Sequence, residues 1–242
     1  MKNKKLPPQL SGALLLSLLL VFLLQPTSVR SEPFHSPVID GTISGDGTDW
    51  APADLVVDDS HDEDTVKPIN VRRLWCTWDA ENLYIGVTYQ DFSDTAALVV
   101  YLDLDRGIGP NDASVLDSFA GQFLMPEDHR FELILGRSRG DGNNLAVIPI
   151  PRLATDNDST TVDLSGDVTI AQGQSFEFPG PDKSRLPFWF NTEFAIPWSS
   201  IYPDVQGIVP ANAVIKAVAL TSLGLRNKNG IDSAPDNDGL DQ

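Results

Sequence analysis

Two β-prone runs joined by four turn-forming residues constrain this 242-residue chain more than any other feature. Val71–Trp78 reads VRRLWCTW, Asp79–Asn82 reads DAEN and Leu83–Tyr89 reads LYIGVTY, which is the pattern of an antiparallel hairpin. Successive side chains of a strand point to opposite faces. Period two therefore sets Leu74, Cys76 and Trp78 against Arg73, Trp75 and Thr77. In the second run it sets Leu83, Ile85, Val87 and Tyr89 against Tyr84, Gly86 and Thr88. The acidic stretch Asp54–Asp64 reads as a short strand and then a loop. Further strands are expected at Ala97–Leu104, Arg130–Leu135, Leu145–Ile150, Val168–Ala171, Phe188–Ile196 and Val214–Leu220. Segments rich in Gly, Pro, Asp and Asn separate them. Helical periodicity never lasts beyond about two turns, so only short helical turns are expected, at Ala113–Phe119 and Ser199–Tyr202. Many short strands punctuated by turns predict an all-β fold, a two-sheet antiparallel β-sandwich of jelly-roll or immunoglobulin-like architecture.

Composition agrees with that expectation. Of 34 acidic residues, 27 are Asp and 7 are Glu. Asp favours turns over helices, and its short carboxylate suits calcium loops. The N-terminus carries Lys2, Lys4 and Lys5, then the apolar run Leu10–Leu24, which breaks at Gln25-Pro26. That run is shorter than the roughly 20 residues of a membrane span and has the flanks of a secretory signal peptide. Val29 and Ser31 place the expected cleavage after Ser31, with 1–31 as the signal peptide. The mature chain then holds 13 basic and 34 acidic residues, a net charge near −21, which repels phosphate backbones and makes nucleic acid a poor partner. The expected localisation is secreted or periplasmic, with no membrane span after signal removal. A single cysteine, Cys76, allows no intramolecular disulfide, so stability must come from the core.

Five segments, in order, resemble family 9 carbohydrate-binding modules and their DOMON-like relatives. They are VIDGTISGDGTDW (Val38–Trp50), LWCTWDAENLYIGVTYQD (Leu74–Asp91), ALVVYLDLD (Ala97–Asp105), HRFELILG (His129–Gly136) and TEFAIPWSSI (Thr192–Ile201). The resemblance covers most of residues 38–222. It implies a two-sheet sandwich, sugar binding and often bound calcium. It also implies that Trp78 belongs to the core. Trp198, following Pro197 where the chain turns, reads as a structural plug, and Trp50 reads as an anchor of the domain entrance. The domain is expected over 32–226, followed by an acidic tail at 227–242 in which PDNDGLD resembles the start of a thrombospondin type 3 calcium repeat.

Sugar recognition needs flat aromatic faces and nearby polar groups. Alternation sets Trp75 opposite the core face and Trp189 opposite Phe188 and Phe190, so both are candidate ligand-facing rings. Tyr84 lies on the corresponding face of the second hairpin strand. Glu193, four residues beyond Trp189, shares its face and is a candidate acceptor for sugar hydroxyls; a salt bridge to Arg72, Arg73 or Arg130 is its alternative use. For calcium, Asp103, Asp105 and Asp112 offer several oxygens in one loop. A second acidic cluster holds Asp58, Asp59, Asp62 and Asp64, with His61 inside it. No nucleophile elbow, zinc helix or phosphate-binding glycine loop is present, and the chain is expected not to be an enzyme. The expected function is non-catalytic binding of a polysaccharide or oligosaccharide. Two alternatives stand beside it: a haem-binding electron-transfer domain using Met125 or the histidines at 35, 61 and 129, and a calcium-dependent surface or assembly protein.

Overall fold

The computed structural model describes residues 35–44, 47–59, 69–91, 96–110, 130–138, 151–158, 160–174, 188–209, 213–223 and 231–234. Eleven strands run in the order β1 (Leu55–Asp58), β2 (Ile69–Trp78), β3 (Asn82–Asp91), β4 (Ala96–Asp103), β5 (Leu133–Ser138), β6 (Arg152–Ala154), β7 (Thr161–Asp163), β8 (Thr169–Gln174), β9 (Phe188–Pro197), β10 (Lys216–Leu223) and β11 (Ile231–Ala234). They form a five-stranded sheet, β1-β2-β3-β9-β8, and a six-stranded sheet, β11-β10-β4-β5-β6-β7. Every pairing is antiparallel. The expected all-β sandwich is the observed fold.

The hairpin forms for a local reason. Asp79 accepts the backbone N–H groups of Glu81 and Asn82 on its Oδ1, each at 2.7 Å, and closes the DAEN turn. The register then pairs Trp78 with Leu83, Cys76 with Ile85 and Leu74 with Val87. These residues face the second sheet, as alternation requires. Leu74, Leu83, Ile85, Val87 and Tyr89 meet Leu98, Val100, Leu102, Leu133, Leu135 and Ala219 in one buried core. A register shift between Val71 and Arg73 returns Val71 to that same face. It is a bulge, which strand alternation alone does not foresee.

The opposite face of the five-stranded sheet is also covered. The described residues that precede β1, 35–44 and 47–54, cross it without regular hydrogen bonding, save one 3₁₀ turn at Pro52–Asp54. Ile43 and Trp50 of this covering segment pack with Trp75, Tyr84 and Ala195 in a second apolar cluster, with Ile39 and Leu55 alongside. Two glycines permit the approach. A Cβ on Gly86 would sit 2.9 Å from Ile43 Cδ1 and 3.1 Å from the Trp50 ring. Gly41, at φ +91°, lies so close to β8 that a Cβ would be 2.6 Å from the backbone of Gln172 and Gly173.

Several expectations shift at their edges. The short helix is α1, Trp198–Ile201, one residue before the expected Ser199–Tyr202, with Pro197 as its N-cap. The strands β6, β7 and β11 lack a run long enough to read from the sequence. β11 falls inside the stretch expected to be a tail, and its residues pair with Ala219–Ser222 of β10. The sandwich therefore reaches Ala234. The expected strand Leu145–Ile150 and helical turn Ala113–Phe119 lie outside the described residues.

Candidate functional site

Glu193 is wholly buried in β9 and holds the covering segment in place. Its Oε2 accepts the backbone N–H groups of Gly41 and of Asp40, the latter at 3.1 Å, and its Oε1 accepts the indole N–H of Trp50 at 2.7 Å. The Ile39-Asp40-Gly41 sequence and Trp50 are thus two halves of one clamp. Burial pushes the Glu193 carboxyl up to about 7 against these hydrogen bonds, and the charge of Asp49 adds to the rise. Glu193 was expected to meet sugar hydroxyls or an arginine; the structure instead buries it wholly and gives its oxygens to two backbone amides and an indole.

The expected aromatic platform is covered as well. Alternation together with the family resemblance placed Trp75 on the outer face correctly, but the Trp50 ring lies 6.4 Å from it and leaves Trp75 only 3% exposed. Tyr84 is buried beside it and donates its hydroxyl to Asp79 Oδ2 at 2.6 Å. Trp189 is 9% exposed, with the guanidinium of Arg72 lying 5.3 Å over its ring. None of the three offers an open ring face. The sequence contains no strand signal for the covering segment, and for that reason a covered outer face was not foreseen.

The exposed tryptophan is Trp78, at 41%. It points to the core side of β2, as its period demands, but it is the last residue of the strand. There the two sheets part and leave an apolar groove of about 890 Å³. Trp78, Val56, Ile208 and Val214 project into it and are all more than two-fifths exposed. Trp198 closes one side, tied by its indole N–H to the backbone carbonyl of Asp79 at 3.0 Å. The assignment of Trp78 to the core is therefore corrected: the face was right, and the depth was not. Its place next to the turn was the available signal, as was the apolar run Ile208–Val209 in a loop.

Asp79 at the groove is already engaged. Burial would raise the Asp79 carboxyl, but hydrogen bonds from Ser36, Tyr84, Glu81 and Asn82 outweigh it and hold the group at about 2. Asp79 thus fixes the turn that carries Trp78. Cys76 also lines the groove. Burial, with a smaller contribution from Asp54, pushes its thiol up to about 12, so it is no nucleophile at neutral pH.

The aspartate loop after β4 is organised by a second buried glutamate. Glu132 accepts the backbone N–H groups of Leu104 at 2.8 Å, Arg106 at 2.9 Å and Ile108 at 3.2 Å. Burial raises its carboxyl against those bonds, with Asp103 adding to the rise. Asp103 is buried and pairs with Lys216 Nζ at 3.2 Å, whereas Asp105 is exposed at φ +59°. Asp112 lies outside the described residues, as do Asp62, Asp64, His61, Met125 and His129. Asp58 pairs with Arg73 at 3.4 Å. Among the described residues no three His, Cys, Asp or Glu side chains converge as a metal site, and no helix is long and apolar enough to cross a membrane. No protein-family model matches the chain, and no curated protein matches it.

Proposed function

We propose that this chain is an exported, non-catalytic carbohydrate-binding module whose ligand stacks on Trp78 in the groove between the sheets. One observation carries the reading: a tryptophan exposed over two-fifths of its surface lines an apolar groove of about 890 Å³. A pyranose presents C–H bonds on one face and hydroxyls at its edge, and an indole ring meets the first while water keeps the second. The aliphatic walls at Val56, Ile208 and Val214 exclude water around that contact. The ordered resemblance to family 9 carbohydrate-binding modules supports sugar binding as such; the place on Trp78 rests on the groove. Calcium enters it as a stabiliser of the loop through Asp103, Asp105 and Asp112.

The haem alternative is less favoured. Among the described residues that line the groove there is no histidine, methionine or lysine to ligate iron, and His35 is engaged with Asp49 and Asp54. The purified protein is expected to show no Soret band.

The test is binding of the purified protein to a panel of soluble and insoluble polysaccharides, with calcium and with chelator. Trp78→Ala is expected to lower affinity about 5- to 150-fold, since a lost aromatic contact removes on the order of 1–3 kcal/mol. Trp75→Phe is expected to leave binding unchanged. Retained binding in folded Trp78→Ala, or no binding to any glycan, would reject the reading. Binding that falls with chelator would support calcium.

A further inference from the structure

We propose that the Glu193 carboxylate is a pH-responsive latch that ties the segment around Asp40, Gly41 and Trp50 onto the outer face of the five-stranded sheet. The inference does not depend on what the groove binds.

The geometry has three parts. First, Glu193 is wholly buried, and its three hydrogen-bond donors (two backbone amides and one indole) are all uncharged. An ionised carboxylate removed from water without a cation is costly, and neutral donors offset that only in part. Second, the held segment is irregular backbone; besides the Glu193 bonds, Ser36 ties it to the hairpin turn through Asp79 Oδ2. Near the latch it makes apolar contacts through Ile43 and Trp50, and close backbone contacts at Gly41 against Gly173. Third, the same segment runs on into Ala53 and Val56 of the groove wall. Its release would loosen that wall.

The other titratable groups nearby leave the assignment with Glu193. From the segment itself come Asp40, which gives its backbone N–H to Glu193, and Asp49, whose charge opposes ionisation. His35 bonds the Asp49 carbonyl and Asp54. On β3 the nearest such group on that face is Tyr84, bound to Asp79. The register neighbours of Glu193 are Gly86 on β3 and Ala171 on β8, which do not titrate.

The direction follows from proton linkage. Once the segment is released, Glu193 meets water and titrates near its ordinary 4.5; latched, it titrates at about 7. The latched form therefore holds its proton over a range where the released form has lost it. Latching is strongest below 4.5 and weakens as pH rises through 7, by roughly 300-fold in equilibrium constant.

Amide hydrogen exchange at Asp40 and Gly41, corrected for the intrinsic pH dependence of exchange, reads this directly. In the wild-type protein the protection factors are expected to fall by roughly 70-fold between about pH 5 and pH 8.5. In Glu193→Gln, which cannot ionise, they are expected to be flat. A flat wild-type profile, or the same fall in Glu193→Gln, overturns the proposal. Trp50→Phe keeps the carboxyl and removes one donor that favours its charged form, so the midpoint is expected to move to higher pH. An unmoved midpoint in that variant overturns it too, even where Glu193→Gln does not fold.

Discussion

At the scale of single residues, two buried glutamates set the positions of loops that lack secondary structure. Glu132 takes three backbone N–H groups from the loop Leu104–Ile108, and Glu193 takes its three donors from the segment before β1. Removing such an acceptor leaves its donors unmet, with Leu104 N–H buried at the first and Gly41 N–H and the Trp50 indole N–H buried at the second. Glu132→Ala is therefore expected to lower stability by about 3–5 kcal/mol in urea unfolding. Glu132→Gln, which keeps one acceptor oxygen, is expected to lose less. Alternation put Glu193 and Trp189 on one face and Trp75 opposite Leu74 and Trp78, the family resemblance chose the outer side for Trp75, and the structure agrees on these faces. What alternation could not supply was depth. Trp75 and Trp78 differ in burial because of what lies above each: a coil segment over the first and a parting of the sheets at the second. Neither is written in the strand that carries them.

At the scale of elements, the long strands β2, β3, β4 and β9 were legible because each is a run of eight to ten residues with β-branched or aromatic side chains. The three-residue strands β6 and β7 are held by pairing with a neighbour rather than by their own pattern. β11 was hidden in an acidic stretch for the same reason. The covering segment is the element least visible in the sequence, and its glycines show how it is held. Gly41 and Gly107 both have positive φ, at +91° and +72°, but a Cβ on Gly41 would strike the β8 backbone while one on Gly107 would meet nothing within 4 Å. Gly107→Ala should thus cost only the strain of a left-handed backbone, about 1 kcal/mol. Gly41→Ala adds a backbone collision and is expected to cost at least about 3 kcal/mol, or to detach the segment. Thermal unfolding of the pair measures the difference, and equal losses would mean that the segment does not press on β8. Gly86→Ala should fall between them, since Ile43 Cδ1 is the movable end of a side chain.

At the scale of the whole molecule, charge and the buried carboxyls act in the same direction with pH. The chain carries 34 acidic against 17 basic residues, so its self-repulsion grows as carboxylates ionise and is screened by salt. Glu193 adds a separate contribution. Its carboxyl titrates at about 7 in the fold and near 4.5 when exposed, so the stability linked to its proton is complete below 4.5 and lost as pH rises through 7. That loss amounts to about 3 kcal/mol. Asp79 has the opposite sign. Held at about 2 against an ordinary 3.8, it stabilises the fold above 3.8 and fails as pH falls toward 2. Together these place the expected stability maximum in weak acid, near the upper end of the Asp79 window and below the Glu193 one. Urea unfolding from about pH 3 to pH 9, at low and high sodium chloride, separates the causes. High salt should flatten the part due to net charge, because exposed charges are screened. It should leave the Glu193 part nearly untouched, because that carboxyl is out of contact with the solvent ions. Glu193→Gln should do the reverse, removing the Glu193 share of the slope between about pH 4.5 and pH 7 that persists at high salt and leaving the share of the buried Glu132 carboxyl, which is raised in the same direction. A slope that salt abolishes entirely in the wild-type protein would assign the whole pH dependence to surface charge and leave the latch without a thermodynamic role.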